Sequence, residues 1–298
     1  MNPRAISELS TAERRALFER DAGVGDARED VREILPKVRE EGDAALREFS
    51  REFDGVDVGS LEVTAEAERA VDEVDDHTLA AIRESIANVR EFHERQVPED
   101  WREEFDGREL GRRFRPLSRV GVYVPGGAAA YPSSAIMGIV PATVAGVDHV
   151  VAATPPAEDI NPVTLAAIHE AGADAVYSVG GAQAIGAMAY GTETVDSVEK
   201  IVGPGNPWVT AAKAEVRGEV EIDFLAGPSE VLVLADETAD PAFVASDLVA
   251  QAEHDPEASV VAVTDDPELA QRIVDEAEEQ AGEREREETI RTVLESDA

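Results

Sequence analysis

The chain has 298 residues, 43% of them hydrophobic, which is enough to bury a core as one large domain or two ordinary ones and excludes a disordered chain. Acidic residues outnumber basic ones by 64 to 27, giving a net charge of −37 at pH 7. Such a surface repels polyanions, which argues against nucleic acid or an anionic membrane as partner. There is no cysteine, so disulfides, thiolate metal ligands and a cysteine nucleophile are all excluded.

No stretch approaches the roughly 18 consecutive apolar residues of a spanning helix. The start MNPRAISELSTAERR has no basic-then-apolar leader pattern, so the expected location is the cytoplasm. Only Lys37, Lys200 and Lys213 are lysine; the other basic residues are arginine. An acidic, lysine-poor surface suits concentrated salt, where a Debye length of about 3 Å at 1 M screens the self-repulsion of the compact state. A halophilic source is the expectation, against the alternative of an acidic protein with merely solvated charge runs.

In chain order, residues 1 to about 115 read as helical. Segments such as DAREDVREILPKVREEGDAALREF carry apolar residues at three- and four-residue spacing. No chemistry shows there, and His77 and His93 read as solvated residues of charged helices. The pattern changes near Val120, where apolar strands are predicted at 120–124, 149–153, 174–179, 198–202, 230–235 and 259–264. Helices between them are announced by Asn161-Pro162, Asn206-Pro207, Asp240-Pro241 and Asp266-Pro267, each a capping side chain before a proline at the first helical position. Alternating strands and helices imply a parallel sheet with right-handed crossovers, a doubly wound α/β domain. The segment GEVEIDFLAGPSEVLVLAD reads as a passage from one sheet to another, and QRIVDEAEEQAGEREREETIRTVLESDA as a charged terminal helix.

Three glycine-rich turns follow predicted strands: Tyr123-Val124-Pro125-Gly126-Gly127, Gly180-Gly181-Ala182-Gln183 and Gly203-Pro204-Gly205-Asn206-Pro207-Trp208. Ligands bind at that edge of open parallel sheets, and the third turn opens a helix whose free N–H groups favour a phosphate. It is not the GxGxxG fingerprint, because Trp208 stands where the third glycine belongs, and each turn alone is also an ordinary strand ending. Further along, a spacing of three puts Gln251 and His254 on one helix face, where they could share a metal; a histidine capping the helix C-terminus is the alternative. His149 and His169 read as structural residues, one opening a strand and one within a helix.

The segments GVYVPGG, YPSSAIMGIVPATVAGV, GGAQAIGAMAYGT, KIVGPGNPWVTAAKAEV, IDFLAGPSEVLVLAD and DLVAQAEHD, in this order and spacing, closely resemble the histidinol dehydrogenase family. The resemblance runs from about residue 10 to the end and is dense from Val120 to Asp255. It implies an α/β fold of two Rossmann-like parallel-sheet domains with an aldehyde-dehydrogenase-like architecture and a helical N-terminal region. Residues 1–120 would belong with the first domain, 121–228 would form the second with the NAD cleft, and 229–298 would return to the first. The implied activity is zinc-dependent oxidation of L-histidinol through the aldehyde to L-histidine with two NAD, the last step of histidine biosynthesis, in a homodimer. Tyr123, Gln183 and Asn206 match the family's NAD contacts, Ser229, Gln251 and His254 its substrate contacts, and Gln251 and His254 two of its zinc ligands. Without a thiolate the second oxidation would pass through a hydrated aldehyde and a general base. In the family that base is a Glu-His pair lying, with the remaining zinc ligands, beyond the point matched by residue 298. The resemblance therefore implies a C-terminally truncated member without its base, completed by another fragment or left as an inactive NAD-binding remnant; a relative acting on another small alcohol is the further alternative.

Overall fold

The computed structural model describes residues 3–18, 24–126, 130–225, 230–254, 256 and 258–295. A short 3-10 turn, Ile6–Glu8, and helix α1 (Thr11–Phe18) come first. Ser10 and Glu13 form a reciprocal cap at the start of α1: the Glu13 N–H donates to Ser10 Oγ at 3.2 Å and the Ser10 N–H to Glu13 Oε2 at 2.8 Å.

Residues 24–226 then make one compact unit. Helices α2 (Val24–Glu41), α3 (Asp43–Phe49), α4 (Thr64–Glu73) and α5 (Asp76–Glu94) follow the predicted periodicity, with Val31, Leu35 and Val38 buried on one stripe of α2. Between α3 and α4 lies a π-turn, Ser50–Asp54.

The helical expectation fails after residue 94. Strands β1 (Trp101–Phe105) and β2 (Arg108–Arg112) form an antiparallel hairpin with every position exposed. The cause is the Asp106-Gly107 dipeptide: both residues take positive φ, 50° and 72°, as a two-residue hairpin turn requires. No helix can pass through that pair.

The sheet of this unit comprises β3 (Arg119–Tyr123), β4 (His149–Thr154), β5 (Ala175–Ser178), β6 (Lys200–Val202) and β7 (Glu221–Ile222). Their order is β5-β4-β3-β6-β7, and every neighbouring pair is parallel. The connecting helices are α6 (Pro132–Val144), α7 (Pro162–Ala171), α8 (Gly181–Tyr190) and α9 (Pro207–Glu215). The predicted caps are present: Asn161 Oδ1 accepts from Val163 N–H at 2.9 Å and Asn206 Oδ1 from Val209 N–H at 3.0 Å.

Strand residues alternate between two cores, as the two-residue period of a strand demands. Tyr123, Val151 and Ala153 join Leu35, Leu46, Ile185 and Val209 in one core. Val122, Val150 and Ala152 join Ala67, Ile82, Ile139 and Ile168 in the other. The sheet is thus sandwiched between α2, α3, α8 and α9 and α4 to α7, which is the doubly wound arrangement expected. Helices α2 to α5 bury their apolar stripes in the two cores that flank the central sheet and fall within its compact unit.

The other compact unit comprises the described parts of residues 1–23 and 227–298. Its strands β8 (Glu230–Ala235) and β9 (Ser259–Thr264) pair in parallel, from Glu230 opposite Ser259 to Ala235 opposite Thr264. Helix α10 (Pro241–Ala252) links them, followed by α11 (Pro267–Ala281) and α12 (Glu287–Glu295). Asp240 and Asp266 cap α10 and α11 through bonds of 3.0 and 2.8 Å. Leu248, Val260, Leu269 and Ile290 form the core. The charged tail is therefore two helices, parted at a turn near Gly282, and not one.

Candidate functional site

In the central unit the strand order reverses between β3 and β6. From β3 the chain moves outward through β4 to β5; from β6 it moves to β7 on the opposite side. Connections leaving the carboxyl ends of these two neighbouring strands diverge, and the crevice between them is where an open α/β sheet receives a ligand.

Tyr123 closes β3 at this point and bridges two of the glycine turns. Its hydroxyl accepts a hydrogen bond from the Gly181 N–H at 3.1 Å. Its main-chain carbonyl lies so close to Gly203 that a Cβ there would sit 2.1 Å from the oxygen. Gly203 also takes φ +111°, a conformation L side chains rarely adopt, so glycine is required on two counts. Burial pushes the Tyr123 phenol up to about 12, and the hydroxyl is therefore neutral at physiological pH.

Gln183 lies in the first turn of α8 and is 2% exposed. Its side chain folds over Gly181, where φ is +60° and a Cβ would lie 2.7 Å from Gln183 Oε1. Asn206 is exposed and caps α9, with the early N–H groups of that helix facing the turn. After β4, Pro155 packs on both Gly126 and Gly180; a Cβ on either would lie 3.1 and 2.9 Å from its side chain. The turns carrying Tyr123, Gln183 and Asn206 are thus drawn together, while Gly127 lies outside the described residues. Close packing at these glycines brings the turns together beside the N-terminus of α9, whose N–H groups suit an anionic group.

Asp54, at the end of the π-turn, carries no signal in a sequence with so many acidic residues. Its Oδ2 is buried without a hydrogen-bond partner among the described residues, and burial pushes the carboxyl up to about 6. Its charge in turn helps raise the Tyr123 phenol. The π-turn that buries it is a tertiary feature, and such turns occur frequently at functional sites.

The second group of expected residues lies in the other unit. Gln251 is half-buried in the last turn of α10; His254 is exposed in the turn beyond the helix end at Ala252. The helix ends there in a tighter closure, His254 N–H donating to Gln251 C=O at 3.2 Å, a turn in which residues three apart lie on the same side. Arg286 Nη1 donates to the His254 carbonyl at 3.2 Å and ties the turn to the start of α12. Ser229 lies outside the described residues. Among the described residues no group of three His, Asp or Glu is placed to hold a metal. Tetrahedral zinc takes four donors, so Gln251 and His254 do not by themselves make a fitting set.

An open parallel sheet with glycine turns converging where its strand order reverses defines the class, a doubly wound α/β protein, a fold whose ligands bind at the carboxyl edge of the sheet. Comparison with known proteins narrows this. The family model for histidinol dehydrogenase matches residues 19–298. The chain is 66% identical over 298 residues to the histidinol dehydrogenase of Natronomonas pharaonis, covering all of this chain and 71% of that protein. Identity to that of Halobacterium salinarum is 66% over 299 residues, covering 100% and 70%. The crystal structure of histidinol dehydrogenase from Elizabethkingia anophelis is similar with a TM-score of 0.85 at 35% identity, over 96% of this chain and 67% of that one. The chain belongs to the histidinol dehydrogenase family, oxidoreductases of histidine biosynthesis, with halophile proteins among its relatives. No helix among the described residues is long and apolar enough to cross a membrane.

Proposed function

We propose that the chain acts in the NAD-dependent oxidation of L-histidinol through the aldehyde to L-histidine, with two NAD per turnover, and that residues 24–226 hold the cofactor. The observation that carries this reading is the convergence of three turns at the β3/β6 reversal. Bound there, NAD supplies the hydride acceptor. The early N–H groups of α9 face its phosphates, Asn206 fixes the start of that helix, and Gln183 and Tyr123 line the wall. Tyr123, neutral and anchored to Gly181, positions without exchanging protons.

Gln251 and His254, with Ser229, are proposed as substrate contacts, and the first two as part of a zinc donor set. Two further donors and the general base are proposed to come from residues other than these 298, in the stretch of the relatives that the chain does not match. The same reading makes the enzyme a cytoplasmic homodimer.

Thermal unfolding with and without NAD tests the cofactor site. NAD at a hundredfold excess over its Kd should stabilise the unit by about 2.7 kcal/mol. Asn206→Asp should weaken that protection, because aspartate caps a helix as well as asparagine but sets a carboxylate beside phosphate. Absence of protection in the parent chain refutes the NAD site. With histidinol, NAD and zinc, the 298-residue chain should make no NADH; turnover above background would place the base within it.

We also infer halophilic adaptation, supported by the charge of −37, the scarcity of lysine and the halophile relatives. The melting temperature should climb from dilute buffer to molar salt as repulsion is screened. A flat profile would count against it.

A further inference from the structure

Beneath the Gly203–Asn206 turn lies an ion pair that cofactor contact does not account for. Lys213, on the side of α9 away from solvent, is 1% exposed, and its side chain runs back toward the start of its own helix. Its Nζ donates to the Gly203 carbonyl at 2.9 Å and to Asp223 Oδ1 at 2.5 Å. Asp223, just past β7, accepts the Gly203 N–H on Oδ2 at 3.0 Å. Both polar groups of Gly203 are therefore held by one closed ring of three hydrogen bonds, which ties β6, α9 and the end of β7 together. The Phe224 ring, 5.5 Å from the ammonium, covers it.

Stability alone does not favour such a pair. Desolvating two charges costs about as much as their attraction returns, and apolar residues of similar size often serve as well or better. What the pair supplies is geometry. The one residue whose backbone must approach Tyr123, at a φ of +111°, is fixed at its N–H and its carbonyl, and the next three residues lead to Asn206.

We propose that Lys213 and Asp223 are positioning residues for the dinucleotide: they touch no cofactor but hold the turn that receives its phosphates. This rests on the NAD reading above. The test uses the full chain carrying Lys213→Met and Asp223→Leu together, so that no buried charge is left alone, with Lys213→Met alone as a second variant. Amide hydrogen exchange of residues 203–209 is measured without ligand, and NAD affinity is measured by calorimetry.

The double variant should melt cooperatively near the parent temperature, exchange faster across 203–209 but not in α4 or α7, and bind NAD roughly tenfold or more weakly. Lys213→Met should shift exchange and affinity in the same direction. A folded double variant with parental exchange and parental NAD affinity overturns the proposal. If the parent itself fails to bind NAD, the cofactor reading falls, while the exchange data still decide whether the pair holds the turn.

Discussion

The five-stranded sheet of the central unit is buried on both faces, whereas the β8–β9 pair leaves Leu232 and Leu234 exposed, Leu234 at 80%. Both regions contain the same capped strand–helix units, with Asn or Asp before proline at the starts of α7, α9, α10 and α11. In the first, the turns at the strand ends meet and lock one another through Tyr123, Pro155 and Gly203. In the second, a glutamine and an exposed histidine stand at a helix end, and no group of three His, Asp or Glu among the described residues is placed to hold a metal. Local grammar builds the elements in either case. A binding geometry arises only where several turns are brought to one edge, and each leucine left exposed forgoes about 1.5 to 3 kcal/mol of burial.

The contrast breaks most easily at Gly203. Gly203→Ala combines an unfavourable φ with a Cβ 2.1 Å from the Tyr123 carbonyl, and should destabilise the central unit by about 3 to 5 kcal/mol and abolish NAD protection. Chemical denaturation with and without NAD measures both. A variant with unchanged stability and protection would show that the turns are not interlocked.

A smaller effect of opposite sign is expected at Asp54. Its carboxyl ionises near 3.9 in the unfolded chain but is pushed up to about 6 in the fold. Any stability this shift confers is complete below pH 4 and is lost as the pH rises through 6, where ionisation in a buried site is a cost. Asp54 being only half-buried, solvent screening cuts the effect to about 1 kcal/mol, so Asp54→Asn should gain that much at pH 7 to 8 and nothing near pH 3.5. Equal unfolding curves for the two proteins at pH 8 would remove the carboxyl from the interior.

The smallest effect belongs to the other unit. His254 is exposed, so His254→Ala should change stability by less than about 0.5 kcal/mol. If His254 is a zinc donor, the same change should weaken zinc binding measured by competition with a chromogenic chelator. A large loss of stability without zinc would instead make the His254 turn, with its Arg286 contact, a structural element like those of the central unit.

Much of this was legible beforehand because it is local. The strands starting at 149, 230 and 259, and the caps at Asn161, Asn206, Asp240 and Asp266, follow from apolar runs and Asx-Pro pairs that fold the same way wherever they stand. The hairpin at 101–112 was legible too, in Asp106-Gly107, but an overall charged, helical context conceals that signal. Asp54 and Lys213 were not legible. Nothing distinguishes one aspartate among many, or a lysine within a helix, until distant segments surround them.

By itself, then, the sequence determined the class of fold, the family and the residue types at the turns, because hydrophobic period and capping chemistry act within a few residues. Tertiary structure alone decided the strand order that brings three glycine loops to one edge, the attachment of α2 to α5 to the central sheet, the burial of Lys213 and the half-buried settings of Asp54 and Asp223. These depend on which distant surfaces exclude water from one another, and a buried charge acquires its meaning only from the partners that packing brings to it.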